Sequence, residues 1–295
     1  MKAKIGFIGM GLMGLPMATN LLKKSGETII GFDVQETALA TFKQSGGLTT
    51  NDVTEVYGSE IIFLCLPTNE LVVKTVKEII ATAKEGTTII DLSSSSPKHI
   101  RELYAEAKAK NISLIDSPVS GGDIGAIAGT LAIMCGGDKE TFDKVTPLLK
   151  CIGATVTYIG ESGAGDIAKL ANNMIAGAYL LAISEGFAFA TKAGLDPEVL
   201  YNAIKDGYAQ SNIMAVKAPQ MMKRDFTPGA RIAVHRKDLK NALQFADDLG
   251  ISIPVSELVA QYMDKSEEIG VINEDQCALV KIFEADMGTE VKAGK

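Results

Sequence analysis

A doubly wound α/β domain with a mostly parallel sheet, followed by an all-helical domain, is the fold the sequence predicts. Three observations carry it. Short apolar, β-branched runs alternate with amphipathic stretches through the first half of the chain. After about Gly163 the strand-like runs stop and only helical periodicity remains. The two halves meet in a long apolar stretch from Asp166 to Ala193, with no proline-rich linker or low-complexity tract, so a long interdomain helix joins them. The expected domains are residues 1–163 and 164–295.

The strand candidates are Ile5–Ile8, Thr28–Asp33, Ile61–Cys65, Thr87–Asp91, Ile112–Asp116, Leu131–Cys135 and Thr155–Tyr158. Segments such as Pro16–Lys24 and Leu71–Lys84 have the length and apolar spacing of helices that cross over a parallel sheet. In the second half, helices are expected over Asp166–Ala193, Asp196–Asp206, Asn212–Lys223, Asp238–Leu249, Pro254–Ile269 and Asp275–Met287, punctuated by Gly194, Gly207, Gly229 and Gly250.

With 295 residues, 46% hydrophobic and 22% charged, the chain has the composition of a globular protein of two domains. The net charge of -7 is dispersed and no Lys/Arg block occurs, which argues against nucleic acid as a partner. Cys65, Cys135, Cys151 and Cys277 are far apart and are read as reduced core residues. Met1-Lys2-Ala3-Lys4 leads straight into a strand without an apolar leader, so a cytoplasmic location is expected. The apolar stretch around Leu170–Ala190 is interrupted by Asn172, Asn173, Ser184 and Glu185, and is read as a buried helix rather than a membrane span.

Gly9-Met-Gly11-Leu-Met-Gly14 follows the first strand and opens a helix at Pro16, as a dinucleotide-binding turn requires. Gly9 permits the tight turn, Gly11 lets the backbone approach a pyrophosphate, and Gly14 lets helix and strand pack closely. Asp33 ends the second strand, where a carboxylate can accept hydrogen bonds from ribose hydroxyls. Its neighbours Val34 and Gln35 offer no cation for a 2'-phosphate, so NAD is favoured over NADP. The alternative for Asp33 is a turn residue capping the next helix. Together these features make the first half a Rossmann domain.

Two further segments hold more glycine and polar residues than folding needs: Asp116-Ser-Pro-Val-Ser-Gly-Gly122 and Gly163-Ala-Gly-Asp-Ile-Ala-Lys-Leu-Ala-Asn-Asn173. Lys169 and Asn173 are four apart and share one helix face, so an ammonium and an amide point together. No cluster has metal-ligand spacing, and a metal-independent reaction is expected.

Five motifs in order, GFIGMGLMGLPMATNLL, DLSSSSP at Asp91–Pro97, DSPVSGG at Asp116–Gly122, GAGDIAKLANNM at Gly163–Met174 and HRKDL at His235–Leu239, resemble those of the β-hydroxyacid dehydrogenases, the 3-hydroxyisobutyrate dehydrogenase-like enzymes. The resemblance covers essentially the whole chain. It implies hydride transfer between NAD and a small 3-hydroxy acid or its semialdehyde, with Lys169 as general acid/base. It implies that Ser120, Gly121 and Gly122 bind the substrate carboxylate, their glycines letting backbone amides form an anion-binding concavity, and that Asn173 holds the substrate hydroxyl. Leu12, Met13, Leu66, Pro67, Ser94 and Lys237 would line the cofactor. Lys237 is the cation that could lower the Lys169 pKa, or else a solvated lysine near a helix start. The family's habit of assembly implies a homodimer or homotetramer.

His235 titrates near neutral pH and competes for the acid/base role, but Lys169 has the better context. Arg236 and Tyr208–Asn212 lie where such enzymes vary with substrate; the arginine could bind a second acid group or simply be exposed. Two other readings keep the fold: a dinucleotide-binding sensor without turnover, and a decarboxylating enzyme of the 6-phosphogluconate dehydrogenase kind. Lys169 and Asn173 beside an anion-binding turn speak against the first. The lack of a cation cluster for a sugar phosphate speaks against the second.

Overall fold

The computed structural model describes residues 4–294; Lys295 and Met1–Ala3, part of the opening run read above for a missing leader, lie outside the described residues. The chain divides into two compact units, Met1–Lys169 and Leu170–Lys295.

The first unit contains nine strands among the described residues. In chain order its elements are β1 (Ile5–Ile8), α1 (Gly14–Ser25), β2 (Ile29–Phe32), α2 (Glu36–Gln44), β3 (Leu48–Thr49), α3 (Val53–Tyr57), β4 (Ile61–Leu64), α4 (Asn69–Thr82), β5 (Thr88–Asp91), α5 (Pro97–Lys108), β6 (Ser113–Asp116), β7 (Val119–Ser120), α6 (Gly122–Ala128), β8 (Leu131–Gly136), α7 (Lys139–Leu149) and β9 (Gly153–Gly160). The sheet runs β3-β2-β1-β4-β5-β6-β8-β7, with β9 beside β8. Every pairing is parallel except those of β8 with β6 and β7. β3 and β7, two residues each, are too short to leave a periodic trace in sequence.

Because strand side chains alternate, each buried strand feeds two cores. Ile5, Phe7, Phe63 and Ile90 join helices α1, α2, α6 and α7 on one face, while Ile8, Ile62, Leu64 and Ile89 join α3, α4 and α5 on the other. Phe7 and Phe63, register partners across β1 and β4, stack with centroids 5.9 Å apart. The chain winds outward from β1 in both directions, to β2 and β3 and then to β4, β5 and β6. That reversal opens a crevice at the carboxyl ends of β1 and β4, the position where such sheets bind ligands.

α8 (Ala164–Lys192) starts in the first unit and continues into the second, which then contains α9 (Pro197–Ile204), α10 (Asn212–Lys223), α11 (Ile232–Leu249), α12 (Pro254–Glu268), a 3-10 turn at Gln276–Leu279 and α13 (Val280–Met287). The division between units falls inside α8 rather than at residue 163, because the first turn of that helix is hydrogen-bonded to the strand ends of the sheet through Asp116. By length and composition α8 could cross a membrane. Its residues Leu180, Leu181, Ile183, Phe187 and Ala188, however, pack in the second unit's core with Met214, Met221, Leu239, Val259, Met263 and Phe283, as a core helix does.

α11 begins at Ile232, six residues earlier than its sequence pattern suggested. Its first turn has no side-chain cap; instead Ile232 N and Ala233 N donate to the carbonyls of Glu274 and Ile272. Those partners are distant in sequence, so no local signal marks the start. Asp275 fixes the same region. Wholly buried, it accepts from Lys217 Nζ at 2.8 and 2.9 Å and from the amides of Gly229, Ala230 and Cys277. Burial acts to raise its carboxyl pKa, but the Lys217 hydrogen bond and the amides outweigh that and hold it below the usual carboxylate value.

A carboxyl whose folded-state pKa is depressed stabilises above its unfolded value and loses that contribution as pH falls through the folded one. Urea unfolding of the wild type should therefore show stability declining below the ordinary carboxylate value of 3.8. Lys217→Met should cost about 3 kcal/mol at pH 7, since it leaves a buried carboxylate without its cation. A K217M protein as stable as wild type would remove this pair from the framework of the second unit.

Candidate active site

The glycine turn after β1 has the shape a pyrophosphate needs. Gly9 has φ of 90°, and a Cβ there would lie 2.3 Å from the carbonyl oxygen of Cys65. A Cβ at Gly14 would lie 1.9 Å from Gly9 O, so only glycine lets α1 start so near the strand. Gly11 has open space where its side chain would be, which fits a ligand approaching the backbone. Leu12 is exposed and Met13 half-buried, while the amide of Leu66, after β4, donates to Ser93 Oγ at 2.9 Å and Pro67 is exposed.

Asp33 does two things at once. Its Oδ2 accepts from Met10 N at 2.6 Å, clamping the glycine turn, and its Oδ1 accepts from Gln35 N at 2.7 Å, forming the turn into α2. Asp33 is thus a turn residue, as the alternative had it, but it does not cap the next helix: α2 starts from Gln35 without a side-chain cap bond. Each carboxylate oxygen has a second lone pair for a ribose hydroxyl, so the two roles are compatible. Val34, next to it, is 87% exposed and apolar.

The four serines after β5 separate by burial. Ser93 and Ser95 are buried and Ser94 is half-buried. Asp91, at the end of β5 and wholly buried, accepts from Ser93 N at 2.9 Å and from Ser95 Oγ at 3.0 Å. Ser93 and Ser95 therefore serve the framework, leaving Ser94 and Ser96 as the half-buried members of the segment.

Ser120 ends β7, and Gly121 and Gly122 follow with φ of 136° and 63°. Neither conformation suits a residue with a side chain, and the turn leads directly into α6. Asp116, at the end of β6, caps α8: Oδ1 accepts from Gly163 N at 2.8 Å and Oδ2 from Asp166 N at 3.1 Å. Burial pushes the Asp116 carboxyl above its usual pKa; the two amides oppose this and the charge of Asp91 adds to it. Lys169 follows in the second turn of α8 and is half-buried.

In the second unit, Asn173 is buried and its amide is oriented by two neighbours. Nδ2 donates to Asp238 Oδ2 at 2.6 Å, and Oδ1 accepts from Asn172 Nδ2 at 3.0 Å. Asp238, also buried, has its other oxygen 3.1 Å from Lys237 Nζ. One carboxylate thereby joins the candidate substrate amide to the candidate cofactor lysine. Lys237 lies within α11, not at its start as the solvated-lysine alternative had it. His235 Nε2 donates to the carbonyl of Asn173 at 2.7 Å, since a carbonyl can only accept. That bond and burial make His235 a brace for α8.

Arg236 is engaged by Asp264 and Glu267, so its guanidinium is committed to an ion-pair cluster rather than open to a second acid group. In the 208–212 segment Ser211 caps α10 by accepting from Met214 N, while Tyr208 is fully exposed. Sequence reasoning missed Asp91, Asp166 and Asp238. Of these only Asp91, closing a strand two residues before the run of serines, carried a local signal. Among the described residues no group of three or more His, Cys, Asp or Glu could hold a metal ion.

Residues 4–160 match the family profile described as the NAD binding domain of 6-phosphogluconate dehydrogenase, and residues 163–283 that described as NAD-binding of NADP-dependent 3-hydroxyisobutyrate dehydrogenase. The chain is 36% identical to 2-(hydroxymethyl)glutarate dehydrogenase of Eubacterium barkeri, over 99% of this chain and 98% of that one. It is 37% identical to 2-hydroxy-3-oxopropionate reductase of Escherichia coli (strain K12), over 95% and 97%. Among solved structures, 3-hydroxyisobutyrate dehydrogenase of Mycobacterium tuberculosis with L-serine superposes with a TM-score of 0.87 at 30% identity, over 96% and 99%. The glycine turn, the paired two-domain match and this full-length similarity lead to one conclusion: the chain belongs to the β-hydroxyacid dehydrogenase family of NAD(P)-dependent oxidoreductases.

Proposed function

We propose that this protein is an NAD-dependent reductase of small acid semialdehydes, interconverting them with 3-hydroxy acids, and that Lys169 is its general acid/base. The observation that carries the reading is the placement of Lys169 and Asn173 one turn apart on a helix capped by Asp116, which itself belongs to the segment ending in the Ser120-Gly121-Gly122 turn. The curated relatives named for 2-(hydroxymethyl)glutarate and 2-hydroxy-3-oxopropionate support a carboxylate-bearing substrate of three to five carbons in its main chain.

A reduced nicotinamide, when bound, supplies hydride to the aldehyde carbon. The Lys169 ammonium gives a proton to the aldehyde oxygen as negative charge develops there, and the resulting amine recovers a proton from solvent. Ser120 Oγ and the amides of the glycine turn hold the substrate carboxylate. Asn173 has two amide hydrogens, one of them taken by Asp238, and the other serves the substrate hydroxyl. In the oxidative direction Lys169 removes the alcohol proton.

NADH oxidation at 340 nm against 2-hydroxy-3-oxopropanoate, methylmalonate semialdehyde, succinate semialdehyde and 2-formylglutarate identifies the substrate. With the active aldehyde, Lys169→Ala should lower kcat by about 10²- to 10⁴-fold while NADH binding, followed by nicotinamide fluorescence, stays within about twofold of wild type. Turnover within tenfold of wild type would take Lys169 out of the mechanism.

Asp33, with Val34 and Gln35 beside it, supports NADH over NADPH, because a carboxylate repels a 2'-phosphate and neither neighbour is cationic. The ratio of kcat/KM for NADH to that for NADPH should exceed about ten, and Asp33→Asn should narrow it by removing the repelling charge. Equal use of both cofactors by the wild type would sink the assignment.

A further inference from the structure

Three carboxylates, Asp91, Asp116 and Asp166, are buried to 1% exposure or less where the sheet meets the first turn of α8. Asp91 and Asp116 hold their own strand ends and the helix cap. Asp166 does something else. Its Oδ1 accepts from Ser95 N at 2.9 Å, across 71 residues of sequence, so the helix reaches back to the serine segment. Ser95 is thus gripped from both sides, its amide by Asp166 and its hydroxyl by Asp91. The helix is seated closely on the sheet as well: a Cβ at Gly165 would lie 2.3 Å from the carbonyl oxygen of Met134.

Asp166 and Lys169 are three residues apart on α8, neighbours on the helix surface and about 4.5 Å apart along its axis. Ser94, the cofactor-facing candidate, sits directly before Ser95. The chain of covalent and hydrogen bonds from Ser94 to Lys169 therefore passes through one buried side chain. A charge-assisted bond from a carboxylate to a buried amide holds such a spacing tightly, and nothing in the catalytic reading above otherwise uses Asp166.

We propose that Asp166 is a positioning residue that fixes the acid/base lysine relative to the cofactor-binding serine segment. The proposal rests on the assignment of Lys169 above. Displacing a reacting group by about 1 Å costs on the order of 10²-fold in rate, so the loss should appear in the chemical step and not in substrate affinity.

The test compares Asp166→Ala and Asp166→Ser, whose side chains cannot reach Ser95 N, with Asp166→Asn, which keeps shape and an acceptor oxygen. Each is assayed with NADH and the panel aldehyde that turns over fastest, using near-ultraviolet circular dichroism to confirm folding. Folded D166A or D166S should lose about 10- to 100-fold in kcat, with KM for the aldehyde within about threefold and a larger isotope effect on kcat from NADH deuterated at the transferred position. D166N should recover kcat to within about threefold of wild type.

Folded D166A or D166S with kcat within twofold of wild type overturns the proposal. So does folded D166N with a tenfold or greater loss, and that arm stands if the smaller variants are insoluble. Lys169→Ala, run in parallel, separates the two ideas. If it retains turnover, the lysine assignment has failed; if it is inactive while D166A behaves as wild type, only the positioning role has failed.

Discussion

The capping of α8 by the Asp116 carboxylate is the constraint on which the candidate chemistry depends. A helix start buried against a sheet leaves amides that water cannot satisfy, and here two of them, Gly163 N and Asp166 N, are taken by one side chain from the end of β6. The aspartate is itself costly to bury, and its raised pKa reflects that cost. The partial positive charge of a helix N-terminus offsets part of it. What results is a helix whose register against the sheet is set within its first turn, and Lys169 follows in the next.

The second unit solves the corresponding problem with different groups. Asn173 is a buried amide, which would be destabilising if left unsatisfied, and Asp238 and Asn172 satisfy it while fixing which way its oxygen and nitrogen point. His235 adds a bond to the main-chain carbonyl of the same residue. All three of His235, Lys237 and Asp238 stand on α11, whose start is held in turn by Asp275 and Lys217. A surface ion-pair cluster around Arg236 completes the helix's outer side, and its exposed members contribute little by themselves.

Asp33 shows how one side chain serves two local structures. One carboxylate both clamps the glycine turn through Met10 N and forms the turn into α2 through Gln35 N, so replacing it disturbs both. Under the proposed assignment, choice of nucleotide and integrity of the glycine turn are linked at Asp33, beside exposed Val34.

The sequence by itself determined the two-part architecture, the parallel sheet and the dinucleotide turn, because those follow from local periodicity and from glycine spacing that any reader of the chain can count. β1, β4, β5 and α10 lie where their patterns put them. The two-residue strands β3 and β7 were not legible, since hydrogen bonding to neighbours and not side-chain pattern defines them. Nor was the start of α11, whose first amides bond to carbonyls some forty residues on. In the candidate site, the motif residues could be named from the chain, but their buried partners could not. Asp166 meets Ser95, Asp238 meets Asn173 and His235 meets the Asn173 carbonyl only in three dimensions. An aspartate has the same local appearance whether it faces water or holds a distant amide; burial and hydrogen bonding across 62 to 71 residues decide which, and only the tertiary structure supplies them.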